Sequence, residues 1–445
     1  MSSSLIGRQA VVVGAGMAGL PAARALADYF EQVTVLERDA LPADASPRIG
    51  TPQSRHTRAL LGGGQRTLSE LFPGFEQDLR GAGAVPYRAG LDVRFERPGF
   101  DPFPQRDLGW IGYAMSRPLI ERTVRRHVGR HQKHHDTCTL PRPGTRALAQ
   151  RHRGVGNPFR EQRRTRSETL PADLAGEASG RGSLALASLG SIGQPPPEET
   201  VIEVDITYAT AAFAIPEDAA ADWRGVMTLD WPAQGGLGGI VKPLERNRWS
   251  VTLVGRHGDI PPTDREGFLA YAGRLRTPTI YDAIKNAEQL GEIARFGFPA
   301  SVRRHFDRLE KFARGLLPLG DALCRFNPVY GQGMSVAAQE AGLLHALLHK
   351  RPRNPTACRA RSGFFRRSGA PDRHAVVIAG GPRTRSPRTQ GQRPEDLQQR
   401  LDFGEGLNRL AAHDATVHKL MFEVLLSLSR KACSTTPNSW SVSRQ

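Results

Sequence analysis

A chain of 445 residues, 39% hydrophobic and 24% charged, is long enough for a large core and two or more structural units. It has no run near the ~20 apolar residues of a membrane span, and its start, MSSSLIGRQAVVV, lacks the basic flank and long apolar stretch of a secretory signal. The net charge of +17 is local rather than general: thirteen Lys/Arg against two acids between Arg122 and Ser167 supply eleven of it, which argues against a nucleic-acid-binding surface spread over the chain.

The first predicted unit spans residues 10–38, AVVVGAGMAGLPAARALADYFEQVTVLER. Val11 to Val13 read as a strand, and Gly14-Ala15-Gly16-Met17-Ala18-Gly19 as a turn. A helix follows to about Phe30, then a second strand, Val33 to Leu36, ending on Glu37. This is the order of a nucleotide-binding βαβ unit. Gly14 permits the turn, Gly16 lets backbone approach a pyrophosphate, and Gly19 allows close helix–strand packing. Free N–H groups at the helix start favour phosphate. Glu37, 18 residues after Gly19, is placed to accept from a ribose diol, which favours FAD or NAD over NADP.

Next come PRIGTPQSRHTRALLGGGQRTLSELFPG (47–74) and SRPLIERTVRRHV (116–128), in which Arg48, Arg55, His56 and Arg117 are either functional contacts or solvated positions at helix starts. Residues 129–167 show neither a strand nor a helix period. Three readings apply there. His131, His134, His135 and Cys138 have metal-ligand types but no second ligand pair, and basic charge without interleaved aromatics is a poor nucleic-acid surface. A solvated insert without a selected role is the favoured reading. Its Arg/His/Pro/Gly/Gln-rich composition is what a GC-rich gene gives out of frame, and it recurs at 366–390 and 431–445.

Residues 173–183, DLAGEASGRGS, form a weak strand before a small-residue turn. Between 200 and 255, TVIEVDITYATAAFAI alternates apolar and polar, and GGIVKPLERNRWSVTLVG reads as two strands around a turn, with Trp223, Trp231 and Trp249 nearby. Leu316 to Leu319 is a short strand ending on Gly320-Asp321, where an Asp can hydrogen-bond a polyol. Asn327-Pro328 and Gly331-Gln332-Gly333 then turn into a helix from Met334 to His349, whose N-terminus suits anionic charge such as that of a reduced flavin. Residues 405–429 read as one amphipathic helix, for packing or for peripheral membrane contact. The cysteines Cys138, Cys324, Cys358 and Cys433 stand apart without a CxxC, which fits a reduced, cytoplasmic setting and no disulfide framework.

The two glycine motifs, some 300 residues apart, resemble the FAD-dependent aromatic hydroxylase and epoxidase superfamily, the group A flavin monooxygenases that include squalene-epoxidase-like enzymes. The resemblance implies an α/β fold: a GxGxxG Rossmann-like, glutathione-reductase-like FAD-binding domain, an inserted antiparallel-sheet substrate domain and a C-terminal helical segment. The implied boundaries are 1–72, 105–190 and 296–350 for FAD, and 73–104 and 198–295 for the substrate sheet. The basic insert covers 129–167, and a C-terminal region 351–445 holds the helix near 405–429.

By the same resemblance Asp321 contacts the ribityl chain, the Gly331-x-Gly333 backbone approaches the isoalloxazine, and Arg117 steadies the phosphates. The 47–56 stretch matches a P-R-x-G-x-P-Q-x-R-H signature that runs beside the flavin. In the middle motif Gly180 and Ser183 match, while Glu177 and Ser179 stand where relatives have Asp. The cofactor-binding candidates are Gly14, Gly16, Met17, Ala18, Gly19, Glu37, Arg38, Arg55, Arg117, Gly320, Asp321, Pro328, Gly331, Gly333 and Met334. Arg48, His56 and Pro328 are the catalytic candidates, with no metal. The expected activity is an FAD-dependent monooxygenase that hydroxylates or epoxidises an apolar or aromatic small molecule with NAD(P)H and O2. An FAD-dependent reductase or dehydrogenase, and a damaged homologue that binds FAD weakly, are the alternatives.

Overall fold

The computed structural model describes residues 5–99, 101–135, 138–139, 149–150, 170–180, 183–217, 219, 222–229, 236–313, 315–350 and 395–428. The expectations for 366–390, 431–445, Trp231, most of the basic stretch and its metal-ligand side chains fall outside these residues.

In chain order the first half holds β1 (Gly7–Val13), α1 (Gly19–Ala27), β2 (Phe30–Leu36), α2 (Gly62–Leu71), α3 (Phe75–Gly81), β3 (Val85–Arg88), β4 (Val93–Glu96), β5 (Ile111–Ala114) and α4 (Arg117–His135). Then follow β6 (Cys138–Thr139), β7 (Ala149–Gln150), β8 (Leu170–Pro171), β9 (Leu174–Glu177) and α5 (Ser183–Ser191). The second half holds β10 (Glu199–Ala214), β11 (Gly225–Leu229), β12 (Gly238–Leu244), β13 (Arg248–Arg256), α6 (Arg265–Ala272), α7 (Thr279–Ile284), β14 (Ala294–Arg304), β15 (Leu316–Pro318), β16 (Cys324–Arg325) and α8 (Gly333–His349). Two C-terminal helices, α9 (Leu397–His413) and α10 (Ala415–Leu425), complete the described chain.

One sheet is parallel, in the order β15-β9-β1-β2-β6. The β-branched run of β1 lies at its centre, and Val12 pairs with Val35 on one side and Gly176 on the other. The strand that reads as weak from its Ala175-Gly176 is therefore β9, held between two parallel partners; tertiary pairing overrides its low strand propensity. Small residues are tolerated there without being demanded, since a Cβ on Gly176 would make ordinary contact with Leu319 at 3.5 Å and Val12 at 3.6 Å. Helices α1, α2 and α8 share the apolar cluster on this sheet, with Leu20, Leu26, Leu68 and Ala338 fully or almost fully buried. Phe75 and Leu79 of α3 belong to that cluster too.

The second sheet has seven strands, β16-β14-β10-β13-β12-β11-β4, antiparallel except where β4 joins β11. The alternation seen at 200–215 forms the sixteen-residue β10, bent at a register shift between Glu203 and Ile206 where Asp205 takes φ 37°. Arg246 and Asn247, both at positive φ, make the turn of the β12–β13 hairpin. Phe213, Trp249, Phe268 and Ile280 pack one face of the sheet against α6 and α7. The other face carries Val204, Ile206, Tyr208, Val254 and Phe298, which cluster with Val329 of the late turn. That cluster ties the seven-stranded sheet to the turn before α8.

The single helix expected over 405–429 is a correction: the chain breaks it at Asp414. Asp414 leaves helical backbone (φ −104°, ψ 117°), and its carboxylate accepts from Thr416 N at 2.7 Å and Val417 N at 3.0 Å. This N-cap contributes about 1 kcal/mol to α10, and the apolar periodicity running through the break concealed it. Among the described residues no helix is long and apolar enough to cross a membrane.

Candidate functional site

The two glycine turns meet at the carboxyl ends of the parallel strands. Gly14 sits at φ 107°, and a Cβ there would run into the Ala178 carbonyl; a Cβ on Gly19 would run into the carbonyl oxygen of Gly14. Gly16 differs, since a Cβ there would meet only the Arg48 guanidinium, 4.0 Å away. Gly320, at φ 61°, lies against this early turn, where an added Cβ would stand 2.8 Å from the Cβ of Ala18. Gly331 is also left-handed, and its missing Cβ leaves room for Ala59, which would otherwise be 2.8 Å away. Both late glycines combine positive φ with close approach, and only glycine satisfies both.

Between them, Asn327 is fully buried and its Oδ1 accepts from Val329 N at 2.8 Å. Its Nδ2 and the Oε1 of Gln332, itself 1% exposed, have no hydrogen-bond partner among the described residues. Buried polar atoms left this way cost stability unless a ligand or water meets them. Gly333 opens α8, and a Cβ there would meet nothing within 4 Å.

A buried charge network lies beside the early turn. Glu37 accepts from Ala15 N at 2.9 Å and Arg48 Nη1 at 2.8 Å through one oxygen, and from Arg38 N and Asp39 N through the other. Burial by itself would raise the Glu37 carboxyl, but the Arg48 charge and these amides outweigh it and hold the carboxyl below its usual range. Arg48 reaches onward to Glu121 at 3.1 Å, and Glu121 is bound at 2.8 Å by Arg117 one helical turn earlier. At the late motif, burial pushes the Asp321 carboxyl up, opposed by the charges of Arg117 and Arg58. Part of the residue still meets solvent.

On the side of the seven-stranded sheet, His56 is 5% exposed and packs edge-on against Tyr208 with ring centroids 4.6 Å apart, near Phe296. Its Nδ1 bonds Thr210 Oγ1 at 2.9 Å. Thr210 meets Thr252 at 2.7 Å, Thr252 donates to Thr57 at 2.8 Å, and Thr57 meets Ser250 at 2.7 Å. Burial, then the charges of Arg58 and Arg55, drive the His56 pKa down to about 3, so the ring is neutral. Lys242, brought down to about 8 by burial, donates to the Arg58 carbonyl.

The structure thus gathers Gly14, Gly16, Ala18, Gly19, Glu37, Arg48, Arg117, Gly320, Asp321, Gly331 and Gly333 around one junction, with His56 and Pro328 on its sheet side. Met17 is a core side chain, and Met334, half-buried, packs against that same core. Arg38 and Arg55 stand at the edge of this junction with exposed side chains, Arg38 lying 3.9 Å from Asp39. Glu177, at the end of β9, is directed at α5, where it accepts from Leu184 N at 3.0 Å and Ala185 N at 2.6 Å. Three residues escaped the sequence reading. Glu121 was readable from its i, i+4 spacing to Arg117, and Arg58 from its place two residues after His56. Tyr208 carried no signal beyond strand alternation.

No protein-family model matches the chain. Protein Rv3254 of Mycobacterium tuberculosis is 34% identical over 350 residues, 77% of this chain and 73% of that protein. The chain belongs to its family. Among solved structures, the flavin-dependent brominase Bmp2 superposes with a TM-score of 0.65 at 12% identity, covering 98% of this chain and 96% of the brominase. The 2-methyl-3-hydroxypyridine-5-carboxylic acid oxygenase gives 0.59 at 18% identity over 86% of this chain and 92% of its own. The flavin-dependent halogenase CmlS gives 0.61 at 17% identity over 92% and 72%. The resemblance read from the glycine motifs holds at the level of the fold, a mixed α/β architecture with a parallel sheet shared with these flavin-dependent enzymes.

Proposed function

We propose that the chain is an FAD-dependent monooxygenase that hydroxylates or epoxidises an apolar or aromatic small molecule, with NAD(P)H and O2 as co-substrates. One observation carries this reading: Gly320 of the late motif rests on Ala18 of the early one, so the two turns make one continuous cradle. The residues suit the cofactor. Gly16 and Gly333 leave open the space a side chain would fill, and Asn327 Nδ2 and Gln332 Oε1 are buried without partners in the turn before α8. When bound, FAD supplies two-electron redox chemistry and the activation of oxygen.

The chain's own groups bind, orient and exclude water. Glu37, held ionised by Arg48, would accept from the ribose diol, and the Gly14–Gly19 backbone with the start of α1 would face the pyrophosphate. Arg117 and Arg58 add positive charge there, and Asp321 would bond the ribityl hydroxyls. The backbone of Gly331, Gly333 and Met334, with the start of α8, would stabilise negative charge on the ring. The apolar face of β10 and β14 with Val329 would keep water from the substrate. In this reading the FAD domain comprises 1–72, 105–190 and 296–350, and the substrate sheet 73–104 and 198–295. An absorption spectrum with flavin bands, NAD(P)H-dependent oxygen consumption and a product heavier by one oxygen atom are the expected results. A colourless protein that FAD does not reconstitute overturns it; NAD(P)H oxidation without oxygen incorporation points to a reductase.

A further inference from the structure

The hydroxyl chain running from His56 into the seven-stranded sheet has a direction. Thr252 donates to Thr57, so the 2.7 Å bond between Thr252 and Thr210 is donated by Thr210. With its one proton committed, Thr210 accepts from Nδ1 of His56 at 2.9 Å. Thr57, accepting from Thr252, also meets Ser250 at 2.7 Å, where either hydroxyl can donate. The tautomer this order allows is Nδ1–H, with Nε2 bare. Nε2 makes no hydrogen bond among the described residues, and the ring lies against Tyr208 and Phe296, which cluster with Val329.

We propose that His56 is a specificity-determining residue: a neutral acceptor of fixed tautomer that selects an otherwise apolar ligand carrying a hydroxyl or N–H donor. This rests on the reading of the sheet side as the substrate side. A ligand without a donor leaves Nε2 desolvated and unpaired, and a carboxylate sets acceptor against acceptor. Arg58, the nearby cation, donates through Nε to the Gln53 carbonyl; burial lowers its pKa, opposed by Tyr208 and Asp321.

Two measurements on the FAD-loaded full chain test this without turnover. In 15N NMR of the imidazoles, with His56→Gln identifying the resonances, Nδ1 is expected to show a protonated nitrogen and Nε2 a bare one. In calorimetric titrations, 4-methylphenol is expected to bind about tenfold or more tighter than 4-methylanisole or 4-methylbenzoate. Thr210→Val, which breaks the chain at its first link, should erase that preference, and His56→Gln should keep part of it through its amide oxygen. An Nε2–H tautomer, equal affinity for phenol and ether, tighter benzoate binding, or a preference untouched by Thr210→Val overturns the proposal. So does a His56→Gln variant whose FAD affinity falls while its probe affinities stand, because the acceptor then serves the cofactor. If oxygen is not consumed but the phenol preference and tautomer hold, the oxygenase reading fails and the acceptor stands.

Discussion

Two networks flank the junction of the glycine turns, one built of full charges and one of hydroxyls. In the first, Arg48 is shared by Glu37 and Glu121, and Glu121 by Arg48 and Arg117, with side chains 3% to 15% exposed. In the second, His56, Thr210, Thr252, Thr57 and Ser250 pass one hydrogen bond to the next and carry no charge. Charges in a poorly solvated site hold position strongly but have no polarity along a chain, whereas single-proton hydroxyls hold weakly and fix direction. The charged network therefore suits a rigid anchor for a polar cofactor, and the hydroxyl chain suits discrimination between ligands.

Breaking each network separates these roles. Arg48→Met leaves the buried carboxylates of Glu37 and Glu121 without their shared cation and should cost about 3–5 kcal/mol in urea unfolding. A loss under about 1 kcal/mol would mean that the network is not an anchor.

A third site tests neutrality without hydrogen bonds. His418 on α10 is fully buried against Phe103 and Phe422, with ring centroids 4.7 and 4.9 Å away, and neither nitrogen has a partner among the described residues. Burial first, then the charges of Arg106 and Arg97, lower its pKa from 6.5 to about 4. The unfolded chain binds this proton more readily, so the stability tied to neutral His418 is complete above pH 6.5 and is lost as pH falls towards 4. The loss reaches about 3 kcal/mol, and His418→Phe should flatten that limb of a Tm-against-pH curve. His56, neutral to lower pH, would account for acid sensitivity that remains.

Thr252→Val removes two hydroxyl bonds without stranding a charge, and about 1–2 kcal/mol is expected. Its clearer effect should be on the His56 tautomer. As a control, Lys285→Ala breaks the exposed ion pair to Asp282 and should leave the unfolding midpoint within error.

What was legible in the sequence follows from this contrast. Gly14, Gly19, Gly320 and Gly331 announce themselves because backbone sterics alone require them. Strands with strong alternation, such as β10, and the β12–β13 hairpin were equally readable. The hydroxyl chain was not, since Thr57 reaches Ser250 and Thr252 from 193 and 195 residues away and pairing register decides which hydroxyls meet. Sequence adjacency to Glu37 and His56 singled out Arg38 and Arg55, but it carries no information on burial, and both side chains are exposed where their neighbours are not. The break at Asp414 was written locally as an N-cap, Asp-Ala-Thr, and was outvoted by amphipathic periodicity.

The contact between Gly320 and Ala18 also sets a timetable. At ~5–20 residues per second, a ribosome needs about 15–60 seconds to extend from one to the other. Throughout that interval the nascent chain has one half of the cradle, and until β9 emerges one edge of β1 is unpaired. Slow closure of so distant a contact exposes the partly folded chain to trapping and aggregation.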